Sequence, residues 1–102
     1  MGFEQLDDII VTSSDIGSIR AYISLLFLKE VQGEGKKMEE LVEVTRAYVR
    51  QNAEEYSVKQ ALEEYGSEEA FSKKIIEGML KAKSIRLEDG VYRANIKLPN
   101  PA

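Results

Sequence analysis

The stretch Ile85-Arg86-Leu87-Glu88-Asp89-Gly90-Val91-Tyr92-Arg93-Ala94-Asn95-Ile96 reads as two short strands joined by a two-residue turn. Asp-Gly suits a type I′ turn, which needs positive φ at both central positions. That turn sets the register: Leu87 faces Tyr92 and Ile85 faces Ala94. One side of the hairpin is then apolar. Arg86, Glu88, Val91, Arg93, Asn95 and Lys97 line the other, which is polar and largely basic. Pro99 and Pro101 end regular structure.

Working back from the hairpin, Ser67 heads a helix that runs to about Lys83. Phe71, Ile75, Met79 and Leu80 form its apolar stripe, with Ile76 at the edge. Glu68 and Glu69 in its first turn and Lys81 and Lys83 in its last carry the signs that the helix dipole favours. A shorter helix, from about Ser57 to Tyr65, is closed by Gly66. Before it, Met38, Leu41, Val42, Thr45, Tyr48 and Val49 make one stripe of a helix from about Lys36 to Gln51, and the opposite face is charged. The first helix spans Ile16 to about Gln32, follows the N-cap residues Ser13, Ser14 and Asp15, and stops at Gly33-Glu34-Gly35. It is apolar around most of its girth, so it is either deeply buried or covered by another subunit. Ile9-Ile10-Val11-Thr12 reads as a further short strand. The expected fold is α+β and mainly helical: four helices plus a C-terminal β-hairpin. It forms a single domain over 1–102, with a helical hairpin at 16–51.

The order short helix, glycine, second helix, twisted hairpin resembles a winged-helix domain. The segment Ser57-Val58-Lys59-Gln60-Ala61-Leu62-Glu63-Glu64-Tyr65-Gly66-Ser67-Glu68-Glu69-Ala70-Phe71-Ser72-Lys73-Lys74-Ile75-Ile76 is similar to a helix-turn-helix. Ala61 and Leu62 match the tight inner positions of its first helix, and Gly66 matches the turn. Ser67 stands where an apolar residue is usual, and Phe71 falls one place early. The resemblance covers residues 38–98 and implies that 57–98 is a helix-turn-helix plus wing. It also implies that residues 68–83 form a recognition helix entering the major groove of double-stranded DNA, with the wing on the neighbouring backbone.

Composition narrows the function classes. The 102 residues contain no cysteine and no histidine, which removes disulfides, thiolate nucleophiles, histidine triads and the commonest transition-metal ligands. The acidic residues are scattered without metal-site spacing. Gly33-Glu34-Gly35-Lys36-Lys37 lacks the strand and spacing of a phosphate loop. An enzyme is therefore not expected, nor a cofactor or bound metal. The start of the chain lacks signal-peptide order and its longest apolar run is short, so a cytoplasmic protein with no membrane association is expected.

Charge is lopsided within the overall −4. Residues 1–69 carry seven basic and fifteen acidic side chains, whereas residues 70–102 carry seven basic and three acidic. Ser72, Lys73, Lys74, Lys81, Arg86, Arg93 and Lys97 are the candidate nucleic-acid contacts, the cations for phosphates and Ser72 with Lys73 for base edges. Ile19, Tyr22, Ile23, Leu26 and Phe27 on the first helix are the candidate homodimer interface. The competing expectation is a protein–protein adaptor. Net acidity favours it, as do Glu68 and Glu69 at the turn that faces DNA in the family. On that view the same lysines only keep a helix and a sheet edge soluble.

Overall fold

A computed structural model describes residues 17–98. Four helices, α1 (Gly17–Glu30), α2 (Met38–Gln51), α3 (Tyr56–Tyr65) and α4 (Glu68–Lys81), precede strands β1 (Ile85–Glu88) and β2 (Val91–Ala94). The fold is α+β and mainly helical, and its layout is compatible with a winged-helix arrangement. The expected strand at residues 9–12 and the caps at 13–15 lie outside the described residues.

Each helix boundary has a local cause. At the start of α2 the Glu40 carboxylate accepts a hydrogen bond from the Lys37 backbone N–H at 2.7 Å, satisfying a donor the chain leaves free there. Gly66 ends α3 at φ +94, a conformation costly for any side chain, and its N–H donates to the Leu62 carbonyl at 2.8 Å. Ser67 follows at once as the N-cap of α4, its Oγ accepting from the Ala70 N–H at 3.1 Å. This compact glycine-serine joint leaves α3 and α4 no slack. α4 closes with Lys83 in the left-handed region (φ 63) and with the Ser84 N–H reaching back to the Met79 carbonyl at 3.0 Å.

The hairpin has the register its turn demands: Ile85 pairs with Ala94, Arg86 with Arg93, Leu87 with Tyr92 and Glu88 with Val91. Asp89 (φ 54) and Gly90 (φ 82) both hold the positive φ of the turn. The apolar face is shorter than the alternation predicts. Ile85 and Tyr92 are buried, but Leu87 is 55% exposed, because the turn end projects past the helices. β2 is the inner strand. Lys36 pairs with Tyr92 on its free edge, through Lys36 N–H to the Tyr92 carbonyl (3.1 Å) and Tyr92 N–H to the Lys36 carbonyl (2.7 Å). The Ala94 N–H also donates to the Val31 carbonyl at 3.3 Å. The approach depends on Gly35: a Cβ there would lie 2.5 Å from Val91 Cγ2.

One apolar core joins every element. α1 contributes Ile19, Ile23 and Phe27, the turn after it Val31, α2 Leu41 and Val49, α3 Val58 and Ala61, α4 Phe71, Ile75, Ile76 and Met79, and the hairpin Ile85 and Tyr92. This corrects the expected dimer interface. Ile19, Ile23 and Phe27 recur at i, i+4 and i+8, so they share the one face of α1 that the molecule's own core covers, and no second subunit can reach them. Of the five residues, only Tyr22 is exposed and Leu26 half-buried; Leu25 beside them is exposed as well.

Candidate nucleic-acid interface

α4 turns Phe71, Ser72, Ile75, Ile76 and Met79 inward and leaves Glu69, Lys73, Lys74, Glu77, Gly78 and Lys81 in solvent. Ser72 is the second correction. Its side chain is fully buried, 2.7 Å from the Thr45 hydroxyl on α2 and 2.7 Å from the Glu68 carbonyl, so it cannot touch a base edge. Carbonyl oxygens only accept, and a serine has one proton to give. Ser72 therefore donates to Glu68, and Thr45 donates to Ser72.

Lys73 and Lys74, two of the three exposed lysines of α4, are partnered along the helix. Lys73 Nζ lies 3.0 Å from the Glu69 carboxylate and Lys74 Nζ 3.5 Å from that of Glu77. Lys81 has no ion pair among the described residues. Such exposed pairs contribute about 0–1 kcal/mol, so their cations can turn to another anion at little cost. Lys73 also shares a cleft of about 270 Å³ between α2 and α4 with Arg46, Glu39 and Glu69.

A second group of cations sits on the polar face of the hairpin. Arg86 and Arg93 stand directly opposite each other across the two strands. Like charges in that position repel. Glu88 relieves the repulsion by reaching both guanidinium groups, Arg93 Nε at 3.3 Å and Arg86 Nε at 3.5 Å. Arg86 Nη1 donates further to the Ala94 carbonyl (3.1 Å) and to Asn95 Oδ1 (2.8 Å), which fixes its plane. Lys37, exposed, directly follows the Lys36–Tyr92 bridge beside the hairpin. Lys97 lies past the end of β2, in a cleft lined by Gln32, Gly33, Ala94, Asn95 and Ile96. The predicted cations are thus divided: Lys73 faces the α2 side of α4, Lys74 the α1 side, Arg86 and Arg93 pair on the hairpin, and Lys97 lies beyond the end of β2.

Three cations that sequence reasoning passed over belong to this description: Arg46 beside Lys73, Lys37 beside the hairpin, and Arg20 of α1. Arg20 and Lys74 line one groove between α1 and α4. Arg20 Nη1 donates to the Tyr65 hydroxyl at 3.3 Å. Nothing in the local sequence marks these three, because their positions follow from how the helices pack.

Most tyrosines are occupied within the molecule. Tyr22 meets Tyr48 at a centroid distance of 5.4 Å, and Tyr65 stacks on Phe71 at 5.0 Å. Burial, then the Glu55 carboxylate, then Tyr22 raise the Tyr48 phenol above its ordinary pKa of 10.0. Among the described tyrosines Tyr56, at 73%, and Tyr22, at 50%, are exposed. Among the described residues no acidic side chains gather in a group of three or more that could hold a metal ion, and no helix is long and apolar enough to cross a membrane. No protein-family model, curated protein or solved structure matches this chain significantly.

Proposed function

We propose that this chain is a winged-helix-type DNA-binding protein of the cytoplasm, a small transcriptional regulator that pairs as a homodimer. α4 enters the major groove with Lys73, Lys74 and Lys81 toward the duplex. The hairpin lays Arg86 and Arg93 against the adjoining backbone.

The observation that carries this reading is the pair of opposed arginines on the hairpin. In the free molecule Glu88 holds both guanidinium groups in one exposed cluster that keeps an excess positive charge. Exposed ion pairs of this kind are worth about 0–1 kcal/mol, so against a polyanion each guanidinium group can turn to a phosphate oxygen in a charge-assisted hydrogen bond.

A fluorescence-anisotropy titration of a labelled duplex tests it. Binding at low salt is expected to weaken steeply as salt rises. Lys73→Glu combined with Arg93→Glu should abolish it while the circular dichroism spectrum stays unchanged. Salt-insensitive binding, or binding that the double change leaves intact, overturns the proposal.

A second reading is favoured by Glu68 and Glu69 in the first turn of α4, where a duplex would meet negative charge. It makes the chain a protein–protein adaptor. A chain that ignores DNA at low salt and retains one protein partner through Glu69→Lys-sensitive contacts fits that reading instead.

A further inference from the structure

The groove between α1 and α4 has a volume of about 410 Å³. Ile75 and Met79 form its apolar floor, and Arg20 on α1 and Lys74 on α4 stand over it. Gly78 lies along its wall, in the body of a 14-residue helix, where glycine weakens the helix relative to alanine. Sterics do not demand it: a Cβ on Gly78 would meet nothing within 4 Å. Its φ is not positive either. The effect of the missing side chain is to leave the α4 backbone bare beside the groove, the condition for another backbone to come close.

Geometry and charge select the occupant. Arg20, Lys74 and Gly78 are all exposed, so the groove cannot enclose a small ligand on most of its surface as binding pockets do. It can seat a strand that runs along it. Both flanking charges are positive, and Lys81, one turn beyond Gly78, extends the row. The present partners of the two cations are weak: a tyrosine hydroxyl at 3.3 Å for Arg20 and an exposed carboxylate at 3.5 Å for Lys74. We infer that this groove seats one sugar–phosphate strand of the nucleic acid. Arg20 and Lys74 each take a phosphate oxygen, and the sugar edge lies against α4 at Gly78. The inference rests on the DNA-binding reading and adds to it a contact made by α1.

The test compares wild type, Gly78→Leu, Gly78→Ala and Arg20→Gln, with Lys59→Gln on the exposed face of α3 as control, by anisotropy of the same labelled duplex. Thermal melting checks the fold. Gly78→Ala should raise the midpoint by about 3–6 °C, since the site has room. Gly78→Leu should stay folded and weaken binding about tenfold or more, because its side chain occupies the space the strand would take. Arg20→Gln should lower the slope of log affinity against log salt by about 0.9, the mark of one lost phosphate contact. If wild type binds the duplex but Gly78→Leu binds within twofold of it and Arg20→Gln keeps the full slope, the groove assignment is overturned while the α4 and hairpin reading stands. If wild type binds no duplex, both fall. Should Gly78→Leu fail to fold, the Arg20→Gln slope decides alone.

Discussion

Ser72 is a polar residue placed where the core closes. It and Thr45 form a buried chain of two hydroxyls that ends on the Glu68 carbonyl and fastens α4 to α2. Replacing Ser72 with alanine strands the Thr45 hydroxyl without water or partner, and urea denaturation should show a loss of about 1–3 kcal/mol. Thr45→Val with Ser72→Ala removes both ends of the bond and should recover most of that loss. The coupling in a double-mutant cycle measures the link, and two costs that simply add would show that it contributes nothing. The serine's position was legible: it lies three residues before Ile75 and four before Ile76, on the stripe that the sequence already marked as apolar. Its hydroxyl suggested a reader of bases, whereas the spacing placed it in the core. The same spacing assigned Ile19, Ile23 and Phe27 to one face, and that face belongs to the monomer.

At the scale of elements the hairpin was the most readable part, because Asp89-Gly90 admits one turn type and the turn fixes every pair that follows. Its docking was not readable. On its outer edge β2 bridges Lys36, more than fifty positions upstream, and bonds the Val31 carbonyl, and neither propensity nor periodicity marks such isolated contacts. Gly35 permits that contact by having no side chain under Val91. Gly35→Ala should therefore destabilise the fold by about 1–3 kcal/mol through overpacking. Gly33→Ala, two residues away with open space around it, should change stability by no more than about 0.5 kcal/mol. Equal effects at the two glycines would mean that the close approach of the α1–α2 connection to the hairpin contributes nothing to stability. Leu87 shows a limit of alternation: the pattern assigns a face to each strand residue but not the point where the core beneath that face ends.

For the whole molecule, the proposed dimer draws on the flank of α1 that the core leaves uncovered, where Tyr22 and Leu25 are 50% and 43% exposed and Leu26 is half-buried. Light scattering on the eluting chain should give twice 11.5 kDa, and Leu25→Glu should return it to the monomer mass. A wild-type monomer mass at high concentration removes the dimer from the proposal. The basic excess of the C-terminal third was visible in the sequence, but its division between the two sides of α4 and the hairpin was not. Nor was the recruitment of Arg20 from α1 and Arg46 from α2, since that depends on which helix lies beside α4. The lodging of β2 against Lys36 and Val31 has a consequence for how the protein is made. Tyr92 fills the core from a strand that is synthesised after all four helices, so the helical body is open on that side until β2 has emerged. Closure therefore waits for β2 to dock on a segment made more than fifty residues earlier.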